Sequence, residues 1–380
     1  MNMKELKRIG IMGGGPGGLM LGLLLQQQGH EVAIYEKADP NVNKDRGGSL
    51  DIHDDSGQLA LKEANIYQAF KDLARYEGED TRVVSKDGTI LFEEDAEGEG
   101  SRPEIDRGEL CDIIMNQLAP STVQYGYTFS HLNQLDNGQV EVTFKEGQSQ
   151  TFDLVIGADG AFSKVRNHIT DVDVEYNDIS MVELNINNVK EDHPDLAQFN
   201  KNGKMMAFGD HKAILGQLNG DGRIKAYVSY LMDVNQLDQY KAMSSDEIKQ
   251  QLLQQDFVDW SPELKHYIEY ASDDMLLRRI YKLPIGFTWE SIGNVTLIGD
   301  AAHLMSPFAG EGVNMALYDA YLLANAIKES QDLDTAVAQY EQEMYAVSKE
   351  SAQESQDNLE VMFSKDAAEQ MTAFFTSVME

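Results

Sequence analysis

Residues 8–18 read Arg-Ile-Gly-Ile-Met-Gly-Gly-Gly-Pro-Gly-Gly, and this stretch decides the fold. Arg8 to Met12 is a short run with the apolar character of a buried strand, and Pro16 to Gln28, carrying Leu19, Leu21, Leu23, Leu24 and Leu25, has the character of a helix. Val32 to Tyr35 supplies a second strand, so the chain starts with a βαβ unit. Between the first strand and the helix, Gly13, Gly15 and Gly18 satisfy G-x-G-x-x-G, and Pro16 stands where a helix tolerates proline. Glycines there allow a tight turn and a close backbone approach to a pyrophosphate, while the helix offers unpaired N–H groups and a positive dipole end. Glu36, with Lys37 beside it, closes the second strand at the distance where a carboxylate accepts hydrogen bonds from an adenosine ribose. The fingerprint predicts a dinucleotide site without choosing between FAD and NAD.

Outward from this unit, residues 37–48 read as a polar loop and Gln58 to Leu73 as helical. Thr81 to Val84 and Thr89 to Phe92 flank Asp87-Gly88 as a hairpin, followed by an acidic loop over 93–100. A helix starts near Arg107 with Ile113, Ile114 and Leu118 on its apolar face. Val140 to Phe144 and Phe152 to Ile156 are strand-like, and from Met181 to Leu231 strands and tight turns dominate, with Asn219-Gly220-Asp221-Gly222 the clearest connection. Val295 to Ile298 is an apolar strand, Val313 to Lys328 has helical spacing, and Asp334 to Met362 contains neither Gly nor Pro, which predicts one long helix.

Two further motifs follow strands. One is Gly157-Ala-Asp159-Gly160-Ala-Phe-Ser-Lys-Val-Arg166; the other is Gly299-Asp300-Ala-Ala-His303 with Pro307, Gly310, Gly312, Val313 and Asn314. Each puts a carboxylate among small residues at the carboxyl end of a strand, where an α/β sheet binds ligands.

With these motifs in order over nearly its whole length, the sequence resembles the class A FAD-dependent monooxygenases of the para-hydroxybenzoate hydroxylase fold. Gly-Gly-Ser-Leu-Asp-Ile-His at 47–53, Glu104-Ile-Asp-Arg107 and Gly299-Asp-Ala-Ala-His-Leu-Met are similar to the tetracycline-inactivating branch. The resemblance implies an α/β fold: a Rossmann-like FAD-binding domain over 1–75, 101–170 and 285–330, an inserted, mainly antiparallel substrate domain over 76–100 and 171–284, and bridging C-terminal helices over 331–380. It implies that Glu36 holds the FAD ribose, Asp300 the ribityl chain, and Arg107 the ribityl and pyrophosphate region. The resemblance further implies that Asp51 contacts FAD and that Lys44, with Arg46, is associated with NADPH. Asp159, Gly160 and Arg166 serve both flavin and nicotinamide, and the segment Met305 to Gly310, including Phe308, lines the flavin ring. Glu311 departs from the glutamine common in the branch, which puts a carboxylate beside the ring. The implied substrate residues are Glu183, Met206, Leu215, Gln217, Lys225 and Tyr227, with Phe308; Leu215, Lys225 and Tyr227 differ from those of the tetracycline enzymes.

The implied reaction uses NAD(P)H, with NADPH favoured, and dioxygen to hydroxylate a small aromatic or polyketide-like molecule, tetracyclines included. No protein side chain is expected as nucleophile or acid, because the flavin carries the chemistry. A geranylgeranyl-reductase-like enzyme without dioxygen and a non-catalytic flavin sensor stay open as alternatives. Flavin halogenases do not, because their paired tryptophans are missing: the two tryptophans are Trp260 and Trp289.

Bulk properties narrow the partners. Acidic residues number 64 against 31 basic, a formal charge of -33, which repels nucleic acid and anionic membranes. A single cysteine, Cys111, allows no internal disulfide. The histidines form no zinc motif, so no metal is expected; His53 with Asp54 and Asp55 reads as a helix start. No apolar run reaches the ~18 residues of a membrane helix. A cytoplasmic monomer is the expectation.

Overall fold

A computed structural model describes residues 6–39, 48–96, 98 and 100–379. Lys44 and Arg46 lie outside the described residues. Contacts divide the chain into two units: Met1–Leu73, Arg107–Glu175 and Tyr281–Ser355 form the first, and Ala74–Asp106, Tyr176–Ile280 and Gln356–Glu380 the second.

The first unit is built on a five-stranded parallel sheet in the order Val295–Leu297, Leu154–Gly157, Arg8–Met12, Glu31–Glu36, Val123–Tyr125. Past Arg8 its two central strands carry only apolar residues because both faces are covered; Ile9, Ile11, Leu154, Val155 and Ile156 are fully buried. In the helix Pro16–Gln27 every residue from Pro16 to Leu25 is buried, which accounts for a leucine run with no polar stripe. Glycine lets this helix pack closely: a Cβ on Gly17 would stand 2.8 Å from the Ala316 carbonyl in helix Gly312–Glu329. A three-stranded antiparallel sheet, Phe129–Gln134, Val140–Phe144 and Ser149–Phe152, completes the unit.

The second unit holds a seven-stranded sheet in the order Leu276–Lys282, Glu175–Ile186, Ile224–Leu231, Lys212–Leu218, Lys204–Gly209, Thr81–Ser85, Ile90–Glu94. Lys204–Gly209 and Thr81–Ser85 run parallel. One face carries Val182, Leu184, Ile214, Ala226 and Val228, packed with Leu196, Leu237, Ile248, Leu264 and Tyr267 from the surrounding helices. The long helix predicted at the C-terminus runs unbroken over Leu333–Met362; its residues through Ser355 count with the first unit and the rest with the second.

Several elements differ from the sequence reading for local reasons. The helix expected over Gln58–Leu73 splits into Gly57–Glu63 and Tyr67–Lys71, because Asn65 takes a left-handed φ of 57°. The segment read as one strand over Phe152–Ile156 breaks at Asp153, which accepts a 2.7 Å bond from the Arg8 amide and passes the chain from one sheet to the other. Glu93 and Glu94, expected in a loop, continue the strand Ile90–Glu94, with Glu93 taken up by Arg82 at 2.5 Å. Two short helices, Val189–Asp192 and Pro194–Asn200, interrupt the strand-rich segment, and Leu118 lies beyond the helix Arg107–Met115.

Candidate functional site

Three strands of the parallel sheet lie side by side with Met12 level with Gly157 and Gly157 level with Leu297. Their carboxyl ends deliver the glycine loop from Gly13, the Asp159-Gly160 turn and the Gly299-Asp300 turn to one edge. Glu36 joins them from the neighbouring strand, where Tyr35 is level with Met12. The turns are in contact. A Cβ on Gly13, at φ 121°, would fall 2.1 Å from the Ala158 carbonyl oxygen, and one on Gly18 would fall 2.2 Å from that of Gly13. Only glycine admits this approach.

Gly15 is different, since a Cβ there would meet only Arg107 Nη2, at 3.7 Å. It caps the helix Pro16–Gln27 without a side-chain hydrogen bond, so the first-turn N–H groups keep their capacity for an anion. Arg107 is exposed beside this opening. Glu36 accepts from the Gly14 and Ala38 amides, each at 2.9 Å, which fixes its carboxylate at the loop while leaving lone pairs for a sugar. Lys37 is exposed.

Asp159 and Arg166 hold the other two turns. Asp159 accepts from Ser163 Oγ at 2.5 Å and from the Lys164 amide at 2.7 Å. The buried Arg166 guanidinium donates to the Ala161 carbonyl at 2.7 Å and the Ala301 carbonyl at 3.0 Å, lashing the second motif to the third, and burial lowers its pKa. Gly160 takes a positive φ of 80°.

Asp300 is exposed, although Gly299 and Ala301 on either side are buried. Desolvation by the protein atoms crowded around the recess raises its carboxyl above the ordinary range, and His303, Arg107 and Arg166 offset part of the rise. A carboxylate in a crowded but open recess suits a hydroxyl-rich ligand. Behind it, Asp319, fully buried, accepts from the Gly299 amide at 2.7 Å and bonds His303 Nε2 at 2.6 Å. Burial opposes charge on His303, but Asp319 outweighs it and raises the imidazole pKa. Asp319 was not singled out in the sequence: it shares the buried face of its helix with Met315, Leu322 and Leu323, and a lone carboxylate there belongs to no motif.

Pro307–Ala309 form a short 3-10 turn with Phe308 half-buried, and Gly310 follows at φ 72°. Helix Gly312–Glu329 then begins without a side-chain cap, with Gly312 exposed and Val313 half-buried. Asn314 is fully buried and its amide is committed: Nδ2 donates to the Asp51 carbonyl at 2.9 Å and Oδ1 accepts from the His53 amide at 2.9 Å. Its role is to pin residues 51–53 to this helix start.

His53 corrects one expectation. The helix it was read as starting begins at Gly57, and His53 is instead buried between two carboxylates, Glu311 Oε1 at 3.3 Å from Nδ1 and Asp51 Oδ2 at 3.5 Å from Nε2. Burial pulls its pKa down, yet the two carboxylates outweigh burial and lift it to about 9. The carboxylate of Glu311 is therefore turned toward a cation of the protein itself.

In the second unit, strand alternation places Glu183, Met206, Leu215, Gln217, Lys225 and Tyr227 on one face of the seven-stranded sheet, opposite the apolar core. Glu183, Tyr227, Leu215 and Met206 lie in one cross-strand row, and Lys225 and Gln217 in the next. Among the described residues no cluster of His, Cys, Asp or Glu could hold a metal ion, and no helix is long and apolar enough to cross a membrane. Cys111 is half-buried, and burial raises its thiol to about 11.

A parallel sheet whose carboxyl edge gathers a glycine loop at a helix N-terminus, a ribose-type carboxylate and a Gly-Asp turn defines a dinucleotide-binding protein of the flavin type. The chain belongs to the FAD binding domain family, whose model matches residues 7–355, and so to the class A flavin monooxygenases. It is 26% identical over 422 residues to the monooxygenase penA of Penicillium thymicola, covering 96% of this chain and 97% of that one. Among solved structures it is similar to an FAD-containing monooxygenase of Photorhabdus luminescens subsp. laumondii TTO1, with a TM-score of 0.80 and 25% identity over 94% of this chain and 98% of the other. The tetracycline destructase Tet(51) shares the fold at a TM-score of 0.73, with 23% identity over 97% of this chain and 95% of the other. Flavin-dependent monooxygenase chemistry and FAD as cofactor thus stand together with the mixed α/β architecture.

Proposed function

We propose that the protein uses NAD(P)H, with NADPH preferred, and dioxygen to hydroxylate a small aromatic or polyketide-like molecule. The observation that carries this reading is the meeting of three glycine-and-aspartate turns at one sheet edge, with Gly15 left open beside Arg107. When bound, FAD would supply the redox chemistry, hydride acceptance from the nicotinamide and activation of dioxygen.

The protein's own residues bind and orient. The N–H groups of the Gly13–Gly18 loop and Arg107 take the pyrophosphate, Glu36 the adenosine ribose and Asp300 the ribityl hydroxyls. Asp51 and the segment from Pro307 through Val313 flank the flavin ring, where the uncapped helix start at Gly312 favours negative charge. Asp159, Gly160, Arg166 and Asn314 shape these turns through the bonds already described, and no side chain has to act as nucleophile. The second unit supplies the substrate face; tetracyclines are among the candidate substrates. The protein acts alone, on small molecules.

The test is to purify the protein, load it with FAD and follow NADPH oxidation and oxygen uptake against phenols, polyketides and tetracyclines. One compound should raise both rates together and yield a product heavier by one oxygen. Substrate-dependent flavin reduction with no oxygen consumed would replace hydroxylation by a reductase activity.

A further inference from the structure

On the sheet face opposite the apolar core, Glu183 bridges two cations. Its Oε1 lies 2.6 Å from Lys225 Nζ and its Oε2 lies 3.0 Å from Arg278 Nε. Glu183 and Lys225 are buried, while the Arg278 side chain is 46% exposed. Glu183 is thus shared between a buried cation and an exposed one. Burying the charged end of Lys225 carries a desolvation cost that an apolar side chain at this position would avoid, so stability alone does not account for the arrangement. The bond to Glu183 uses Nε of Arg278 and fixes the plane of the guanidinium, leaving its two terminal nitrogens outside that bond.

Beside the cluster the same row continues through Tyr227, Leu215 and Met206, all half-buried, which form a platform of ring, branched and thioether side chains. Burial raises the Tyr227 phenol and the nearby Glu183 raises it further, so it stays a neutral donor. An apolar platform that ends in a fixed guanidinium is a complementary surface for an amphiphilic ring system.

We propose that this face takes a flat, partly apolar molecule bearing an anionic oxygen, a carboxylate or an acidic enol or phenolate, with the Arg278 guanidinium as its partner and the Glu183–Lys225 pair as the support that holds the guanidinium in place. The assignment rests on the second unit being the substrate side of a flavin monooxygenase, and it narrows that reading to substrates with a negative charge at one end.

Isothermal titration of the FAD-loaded protein with benzoate and 3-hydroxy-2-naphthoate, each against its neutral amide, tests it without a turnover assay. The carboxylates should bind at least about tenfold more tightly than the amides, as one charge-assisted bond would give. Arg278→Gln should bring acid and amide within about twofold, and Arg278→Lys should keep part of the preference. Arg278 is on an exposed part of its strand, so these variants read recognition rather than folding. Amides binding as well as acids, a preference unchanged in Arg278→Gln, or no binding by either would overturn the anion site. Flavin absorbance retained through gel filtration is recorded on the same samples; its loss would contradict the flavin reading whatever the calorimetry shows.

Discussion

His53 Nδ1 and Glu311 Oε1 lie 3.3 Å apart in the first unit, with Asp51 on the other side of the imidazole. Glu311 stands where the resemblance to the tetracycline-inactivating branch implies a glutamine. Its carboxylate and that of Asp51 share one buried imidazole, whose pKa they lift to about 9.

Because the folded pKa of His53, about 9, is above the usual 6.5, its contribution to stability is fully present below about pH 6.5 and is lost as pH climbs through 9. The contribution is on the order of 3 kcal/mol at its greatest. Thermal unfolding of the flavin-free protein should show Tm falling by several degrees from pH 7 to pH 9.5. His53→Gln should lower the Tm at neutral pH and flatten that slope, and Glu311→Gln should shift the slope to lower pH. An identical slope in all three proteins would show that the imidazole carries no proton between the carboxylates.

Gly15 and Gly18 should respond differently to alanine. At Gly18 the Cβ meets a carbonyl oxygen at 2.2 Å, so Gly18→Ala should destabilise the protein by about 1–3 kcal/mol before any ligand is added. Gly15 has an ordinary extended backbone, φ -77°, and space around it, so Gly15→Ala should unfold like the parent and lose FAD affinity by about tenfold or more. Flavin fluorescence quenching beside denaturant melts separates the two effects; equal FAD affinity in Gly15→Ala and parent would remove the pyrophosphate from this loop.

The parallel sheet and its three motif turns were legible in the sequence because each feature is local: a leucine run, a glycine string, an aspartate after an apolar strand. The paired carboxylates of His53 were not, since Asp51 and Glu311 meet only after helix Gly312–Glu329 docks and Asn314 pins residues 51–53 to its start. For Arg166, which the resemblance ties to flavin and nicotinamide, the sequence did not show the bonds its guanidinium donates to the main-chain carbonyls of Ala161, Asp300 and Ala301. Glu183, Lys225 and Tyr227 were named in the sequence only through the resemblance; their shared face needed the strand register, and the partner Arg278 comes from a strand distant in sequence and carried no pattern of its own.

Asp300 should show opposite effects on folding and on binding. Its raised carboxyl pKa means that ionisation is unfavourable in the flavin-free protein, a cost present above the carboxyl's titration and relieved as pH falls through it. Asp300→Asn should therefore keep or raise the Tm of the flavin-free protein at pH 7 and weaken FAD binding by about tenfold. A variant that binds FAD as well as the parent would place the ribityl chain elsewhere.

Binding of FAD by the assembled turns is tested most directly by the visible spectrum of the purified protein after incubation with FAD and gel filtration, followed by anaerobic addition of NADPH. The account predicts a yellow, folded protein with flavin retained in equal molar amount and bleached by the nicotinamide. A folded protein that emerges colourless, with the added FAD eluting separately, would contradict it.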